Sequence, residues 1–145
     1  MIGLRQARAD DAPAVAASFR RSRALLLFLP ELHTADEDLW FVREVLIGQQ
    51  RVVLAEQDGV LLGFLAEHDG WVTQLYLAPE VRGRGIGTAL LEDAKRRNAA
   101  LELWCFAQNL PARAFYEARG FVAVEFTDGA RNEARLPDVR YRWER

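Results

Sequence analysis

The chain has 145 residues, the length of one ordinary domain, and can bury a core without disulfide or metal staples. Half of it is hydrophobic and 28% is charged, with a formal net charge of -2, which excludes the basic excess of a general nucleic-acid binder. Its single cysteine, Cys105, excludes an intrachain disulfide, Met1–Asp10 lacks the apolar core of a signal peptide, and the longest apolar run, Ala24–Pro30, is too short to span a bilayer. The expectation is one domain over residues 1–145, cytoplasmic, with no membrane or nucleic-acid partner.

In chain order, Ile2–Ala7 alternates as a short first strand, and Asp10 or Asp11 then caps a helix that tolerates Pro13 in its first turn. Val15, Phe19 and Ser22 keep helical spacing. Ala24–His33 is apolar and broken by Pro30. Thr34-Ala35-Asp36-Glu37 fits a capping box, so a second helix starts there, marked by Leu39, Trp40, Val42, Val45 and Leu46 and ended by Gly48. Arg51–Gln57, Val60–Glu67 and Trp71–Leu77 read as a meander turned at Asp58-Gly59 and Asp69-Gly70. The period then changes. Ile86, Ala89, Leu90 and Ala94 predict a helix to about Arg97, Leu101–Phe106 a strand, and Asn109 to Gly120 another helix with Pro111 in its first turn. Phe121–Thr127 and Val139–Trp143 are the last strands, around a polar, turn-like Asp128–Asp138. The order β-α-α-β-β-β-α-β-α-β-β predicts an α/β sandwich with a mixed, mostly antiparallel central sheet and helices on both faces.

Arg82-Gly83-Arg84-Gly85-Ile86-Gly87-Thr88 joins a strand to a helix. Helix starts leave backbone N–H groups unpaired and carry partial positive charge, and glycines keep Cβ atoms out of an anion's way. Arg82 and Arg84 add fork-shaped cationic donors. A diphosphate suits such an end. A P-loop would need a Gly-Lys-Ser/Thr ending, and a dinucleotide fingerprint needs Gly-x-Gly-x-x-Gly, whereas these glycines alternate singly. A plain glycine-rich connector with two solvated arginines is the alternative.

Arg82-x-x-Gly85-x-Gly87 after Leu75-Tyr76-Leu77-Ala78-Pro79 resembles the pyrophosphate motif of the GNAT superfamily of acyl-CoA N-acyltransferases. Asn109-Leu-Pro-Ala-Arg-Ala-Phe-Tyr-Glu-Ala-Arg-Gly120-Phe121 resembles its second motif. The resemblance covers most of the chain and is weak before Arg51. It implies acetyl-CoA as co-substrate, no metal, and the pyrophosphate on the amides of Arg82, Gly83, Arg84, Gly85, Ile86, Gly87 and Thr88. It further implies a pantetheine arm that pairs with the strand ending at Leu77 and touches Asn109, and an acyl group in a gap opened by a bulge in that strand. The acceptor is then an amine of a small molecule or peptide. The alternative is a non-catalytic acyl-CoA-binding or sensory domain.

Acyl transfer from a thioester needs an amine free of its extra proton and benefits from an acid for the departing thiolate. By the resemblance Tyr116 is that acid; the plain alternative is a core aromatic beside Phe115. Some relatives keep a basic glutamate where this chain has Trp104, so Glu102, Glu67 and His33 are the candidate bases, and a water chain is the fallback. His33, Tyr76, Trp104 and Trp71 are candidates for the acceptor side, with sheet packing the plain alternative for the three aromatics. Cys105 reads as a buried core residue, His68 as an exposed turn residue, and Asp36, Glu37 and Asp38 as ordinary first-turn acids. Leu25–Leu29 forms an apolar wall, packs on the sheet or meets a second subunit. The resemblance also implies a homodimer surface on the final strand.

Overall fold

The structure, a computed structural model, describes residues 2–145. Strand β1 (Gly3–Gln6) leads to helices α1 (Ala12–Arg23) and α2 (Ala35–Trp40), the latter continued by a π-helical segment, Phe41–Ile47. The meander β2 (Arg51–Gln57), β3 (Val60–His68) and β4 (Trp71–Leu77) follows, then α3 (Ile86–Arg97), β5 (Ala100–Phe106), α4 (Leu110–Ala118), β6 (Val122–Thr127) and β7 (Asp138–Glu144). This is the order the sequence predicts. The strands form one sheet, β1-β2-β3-β4-β5-β7-β6, in which the β4–β5 pairing alone is parallel. Both predicted hairpins turn through two positive-φ residues, Asp58 and Gly59 (52° and 78°) and Asp69 and Gly70 (49° and 81°), the geometry whose twist matches paired strands.

Each face buries its own core. Val15, Ala16 and Phe19 of α1, with Val42 and Leu46, pack on Val52, Leu54 and Phe64. On the other face Ile86, Leu90 and Leu91 of α3, with Phe115 and Tyr116 of α4, cover Leu65, Leu101, Leu103 and Tyr141. Strand alternation sends neighbours to opposite cores, so Leu101, Leu103 and Cys105 are buried while Trp104 is exposed on the α1 face.

One local expectation is corrected. Asp11 holds the N-cap position of α1, but its carboxylate turns back to accept from the Arg8 N–H (2.7 Å) and from both Arg5 terminal nitrogens (2.9 and 2.8 Å), because that ion pair is stronger than a neutral cap. Gly48 is the C-cap of the Phe41–Ile47 segment, as read, but it stays right-handed (φ -73°) and the chain keeps helical form through Gln49. Trp40, just before the π turns, is exposed, and Asp38 is buried. The Thr34–Glu37 capping box forms as read, with both reciprocal bonds made (2.8 and 3.1 Å). β7 lies between β5 and β6 with both edges paired, so the free edge at that end belongs to β6 and carries exposed Val122, Val124 and Phe126.

Candidate active site

The predicted loop opens α3, and its three glycines serve two purposes. Gly83 and Gly85 have φ of 82° and 80°, and a Cβ built on either would meet nothing within 4 Å. They give the loop a left-handed path and an open face. Gly87 is helical, and a Cβ there would stand 3.1 Å from the Phe115 ring and 3.2 Å from Leu77. Gly87 therefore lets α4 and β4 close on α3. The first helical hydrogen bond runs from the Ala89 N–H to the Gly85 carbonyl (3.0 Å), so the N–H groups of Ile86, Gly87 and Thr88 precede the ladder and are available to an anion. Arg82 and Arg84 are exposed, and Arg84 donates to Gln57 at 3.1 Å. The Ile86 side chain is core, and the Thr88 hydroxyl accepts from Arg119 (2.9 Å). The cradle is thus made of backbone, with the arginines at its rim.

β4 and β5 touch at a single register pair, Trp71 with Glu102, next to the bond from the Glu102 N–H to the Gly70 carbonyl (2.9 Å). Beyond it they part. The register of β3 against β4 shifts from Ala66 with Gln74 to Glu67 with Val72, which makes Thr73 the extra residue of a bulge on β4. Such a bulge bends its strand. The bond from the Ala78 N–H to the Leu62 carbonyl (2.8 Å) makes Leu77 and Gly63 a non-hydrogen-bonded pair. The backbone groups of Leu77 accordingly point away from β3, toward the gap. The Leu77 carbonyl accepts one bond there, from the Ser22 hydroxyl (3.1 Å).

A cleft of about 860 Å³ runs through the gap. His33, Leu75, Tyr76, Trp104, Asn109 and Tyr116 all line it, so most of the predicted acceptor, pantetheine and acid residues converge. Trp71 lies in an adjoining hollow with Val72, Thr73 and Trp104. Asn109 caps α4, its Oδ1 accepting from the Ala112 N–H (3.3 Å). Its amide nitrogen is left as a donor.

The Tyr116 ring packs on Phe115, Phe121 and Tyr141 at 5.4, 5.7 and 6.3 Å between centroids. Tyr76 meets Phe19 edge-on at 5.2 Å. Neither hydroxyl has a hydrogen-bond partner among the described residues. No fully buried side-chain polar atom is left unpaired, so both hydroxyls reach the cleft. Tyr141 behaves differently: its hydroxyl donates to Glu117 (2.5 Å) and accepts from Arg113 (3.0 Å). Burial first, then the neighbouring Cys105 and Tyr76, hold the Tyr116 phenol well above its ordinary value, and burial pushes Tyr76 up to about 12. Both are protonated at neutral pH. Burial also pushes the Cys105 thiol up to about 11, which keeps it from being a thiolate nucleophile.

The candidate bases fare worse. Glu102 is bound by Arg140 and lies 3.7 Å from Arg142, outside the cleft. Burial raises Glu67, but it sits beside Asn98 (3.5 Å) and does not line the cleft. His33 lines it, yet its Nε2 lies 2.6 Å from Glu133, whose hydrogen bond raises the imidazole above 6.5 and favours the charged form. The turn after β6 also contributes to the cleft. Thr127, Asn132, Glu133 and Asp138 all face the cleft, and nothing in a polar turn signals that it folds back over a strand. In the α1–α2 connection Leu26 and Leu32 line the cleft, Phe28 packs on Phe106 (5.9 Å), and Leu27 is 94% exposed.

Two α/β layers, an anion cradle at a helix start and a parallel strand pair that splays into a through-going cleft define an acyl-CoA N-acyltransferase fold. The description "Acetyltransferase (GNAT) domain" fits residues 48–123. The chain is 33% identical over 103 residues to the Escherichia coli peptidyl-lysine N-acetyltransferase YiaC, covering 70% of this chain and 69% of that protein. Its fold superposes on the Thermoplasma acidophilum PaiA N-acetyltransferase, solved in complex with coenzyme A, with a TM-score of 0.80 at 22% identity over 100% of this chain and 99% of the other. A Thermus thermophilus acetyltransferase gives 0.79 at 23% identity over 100% and 97%. The chain belongs to the GNAT family of N-acetyltransferases. No helix among the described residues is long and apolar enough to cross a membrane.

Proposed function

We propose that this chain, acting as one domain, moves an acetyl group from acetyl-CoA to a primary amine of a small molecule or peptide by direct attack, with Tyr116 as general acid. The N–H groups of Ile86, Gly87 and Thr88 hold the pyrophosphate, those of Arg82 and Arg84 being turned to the Pro79 and Val81 carbonyls (3.4 and 3.3 Å), while the Arg82 and Arg84 side chains add charge at its edge. The pantetheine amides pair with the backbone edge freed at Leu75 and Leu77, and Asn109 donates to the same arm. The thioester then lies in the β4–β5 gap.

The acceptor enters from the face of Tyr76 and Trp104. Its ammonium gives a proton to water, because the candidate bases Glu102 and Glu67 lie outside the cleft and His33 is held by Glu133. The amine nitrogen attacks the thioester carbon, the carbon–sulfur bond breaks, and the Tyr116 O–H protonates the departing sulfur. The phenolate regains a proton from the new amide nitrogen through solvent. Burial raises the phenol but equally disfavours a free thiolate, so this proton moves as the bond breaks. The name of the Escherichia coli relative supports a lysine side chain as one acceptor. The cytoplasm, where a polar co-substrate such as acetyl-CoA is kept, is the location we assign.

The observation that carries this reading is the partnerless Tyr116 hydroxyl in a cleft that opens through the β4–β5 gap. Calorimetry with acetyl-CoA, CoA and ATP tests the ligand class: acetyl-CoA and CoA bind and ATP does not. Binding of ATP without CoA overturns the reading.

A further inference from the structure

Five carboxylates line the cleft, Glu37, Asp38, Glu125, Glu133 and Asp138, against two arginines and one histidine. Four of the five already have work. Arg20 bonds Asp38 at 2.6 Å and Arg140 bonds Glu125 at 2.9 Å. His33 lies 2.6 Å from Glu133 and 3.8 Å from Glu37, which also caps Thr34. Asp138 stands apart. It is 9% exposed, and its carboxylate accepts only from neutral donors, the Thr127 hydroxyl and the Asn132 amide (3.1 Å). No cationic side chain among the described residues pairs with it. A buried carboxylate with no counter-charge is costly, and this one is held in place by two hydrogen bonds.

Its position is equally specific. Asp138 opens β7 and is the register partner of both Phe106, the last residue of β5, and Thr127. Cross-strand partners share a face, and neighbouring strands lie about 4.8 Å apart. Asp138 is therefore one strand away from the mouth of the β4–β5 gap, on the face of Trp104 and Phe106. Trp104 and Trp40, 45% and 55% exposed, line the same cleft, and aromatic faces attract cations.

We propose that Asp138 is a specificity-determining residue that takes the second positive charge of a dicationic acceptor, whose other end is the primary amine being acetylated. The inference rests on the acetyl-transfer reading above. The same chemistry comes from two sources, a free diamine or polyamine and a peptide lysine beside a basic residue. The competing account is that Asp138 only ties down the turn after β6 through Asn132.

The test compares matched acceptors with wild type and Asp138→Asn, which keeps the shape, still accepts from the Asn132 amide, donates to the Thr127 hydroxyl instead of accepting from it, and removes the charge. Diaminobutane is paired with butylamine, and a lysine peptide flanked by arginine with the same peptide flanked by glutamine. Wild type prefers the dication in at least one pair, and that pair identifies the source. Asp138→Asn lowers kcat/KM for the dication about tenfold to a hundredfold and leaves the monocation within about threefold, as expected for a hydrogen-bonded ion pair. Equal losses for both members of a pair show a structural role and overturn the proposal. Absence of any dication preference in wild type overturns it while leaving acetyl transfer intact, and absence of all amine acetylation overturns both. Should Asp138→Asn not fold, wild type decides. A bis-quaternary diammonium, which cannot be acetylated, competes with butylamine at least tenfold better than its mono-quaternary analogue; equal inhibition contradicts the assignment.

Discussion

Replacing Gly85 and Gly87 by alanine, one at a time, separates the ligand-facing part of the loop from its packing part. Gly85 has φ 80° and open space where a Cβ would stand. A left-handed L-residue costs about 1–2 kcal/mol, and the reduced freedom of the unfolded chain returns about 0.4–1 kcal/mol. Gly85→Ala should therefore lose about 1 kcal/mol of stability. Its new methyl has no protein neighbour, so any further effect falls on the ligand. Displacing one charge-assisted amide contact is worth about 1.5–3 kcal/mol, or about tenfold to a hundredfold in acetyl-CoA Kd. Gly87 carries no φ penalty and gains about 1 kcal/mol of helix propensity. Against that stand contacts of 3.1, 3.2 and 3.3 Å with Phe115 and Leu77. Gly87→Ala should change stability by about 1 kcal/mol or less and leave Kd within about threefold. Urea unfolding and calorimetry on the same samples give both quantities. An unchanged Kd in Gly85→Ala, or an equal loss of affinity in Gly87→Ala, refutes the division of the glycines.

The Asp11 carboxyl is lowered from 3.8 to about 2, chiefly by its hydrogen bond from Arg5. A depressed folded value means stability that is complete above the unfolded pKa and lost as pH falls toward 2. Asp11→Asn should cost about 1–2 kcal/mol at neutral pH and almost nothing near pH 2, read from urea midpoints across pH; a pH-independent difference contradicts it. His33 is raised above 6.5, first by its bond to Glu133. That contact joins the α1–α2 connection to the turn after β6. It is fully present below the unfolded pKa and weakens as pH rises through the folded one. An NMR titration should place His33 above 6.5 in wild type and return it toward 6.5 in Glu133→Gln; no shift between the two proteins disproves the link.

How much was legible in the sequence follows from how local each signal is. The Thr34–Glu37 box, the two Asp-Gly turns and the helix bounded by Asn109 and Gly120 are set within a few residues, and the structure contains them. Whether a carboxylate is paired depends on elements far apart in the chain. Arg5 takes Asp11 and Glu56, and Arg140 takes Glu102 and Glu125. Glu102 therefore looked available as a base when read along its own strand. The π-helical segment hid for a similar reason: Trp40 fits a 3.6-residue period that the chain abandons one residue later. Asp138 reads as the end of a polar turn, and only the pairing of β7 between β5 and β6 brings it beside Phe106.

Amine acetylation assisted by the Tyr116 hydroxyl is open to direct test. Its most direct measurement is release of CoA thiol from acetyl-CoA over a panel of primary amines, in wild type and Tyr116→Phe, with acetyl-CoA affinity measured alongside. Wild type should show amine-dependent thiol release, and Tyr116→Phe a loss of roughly a hundredfold or more in kcat with a nearly unchanged acetyl-CoA Kd. Equal turnover in the two proteins, or no amine-dependent release in wild type, contradicts it.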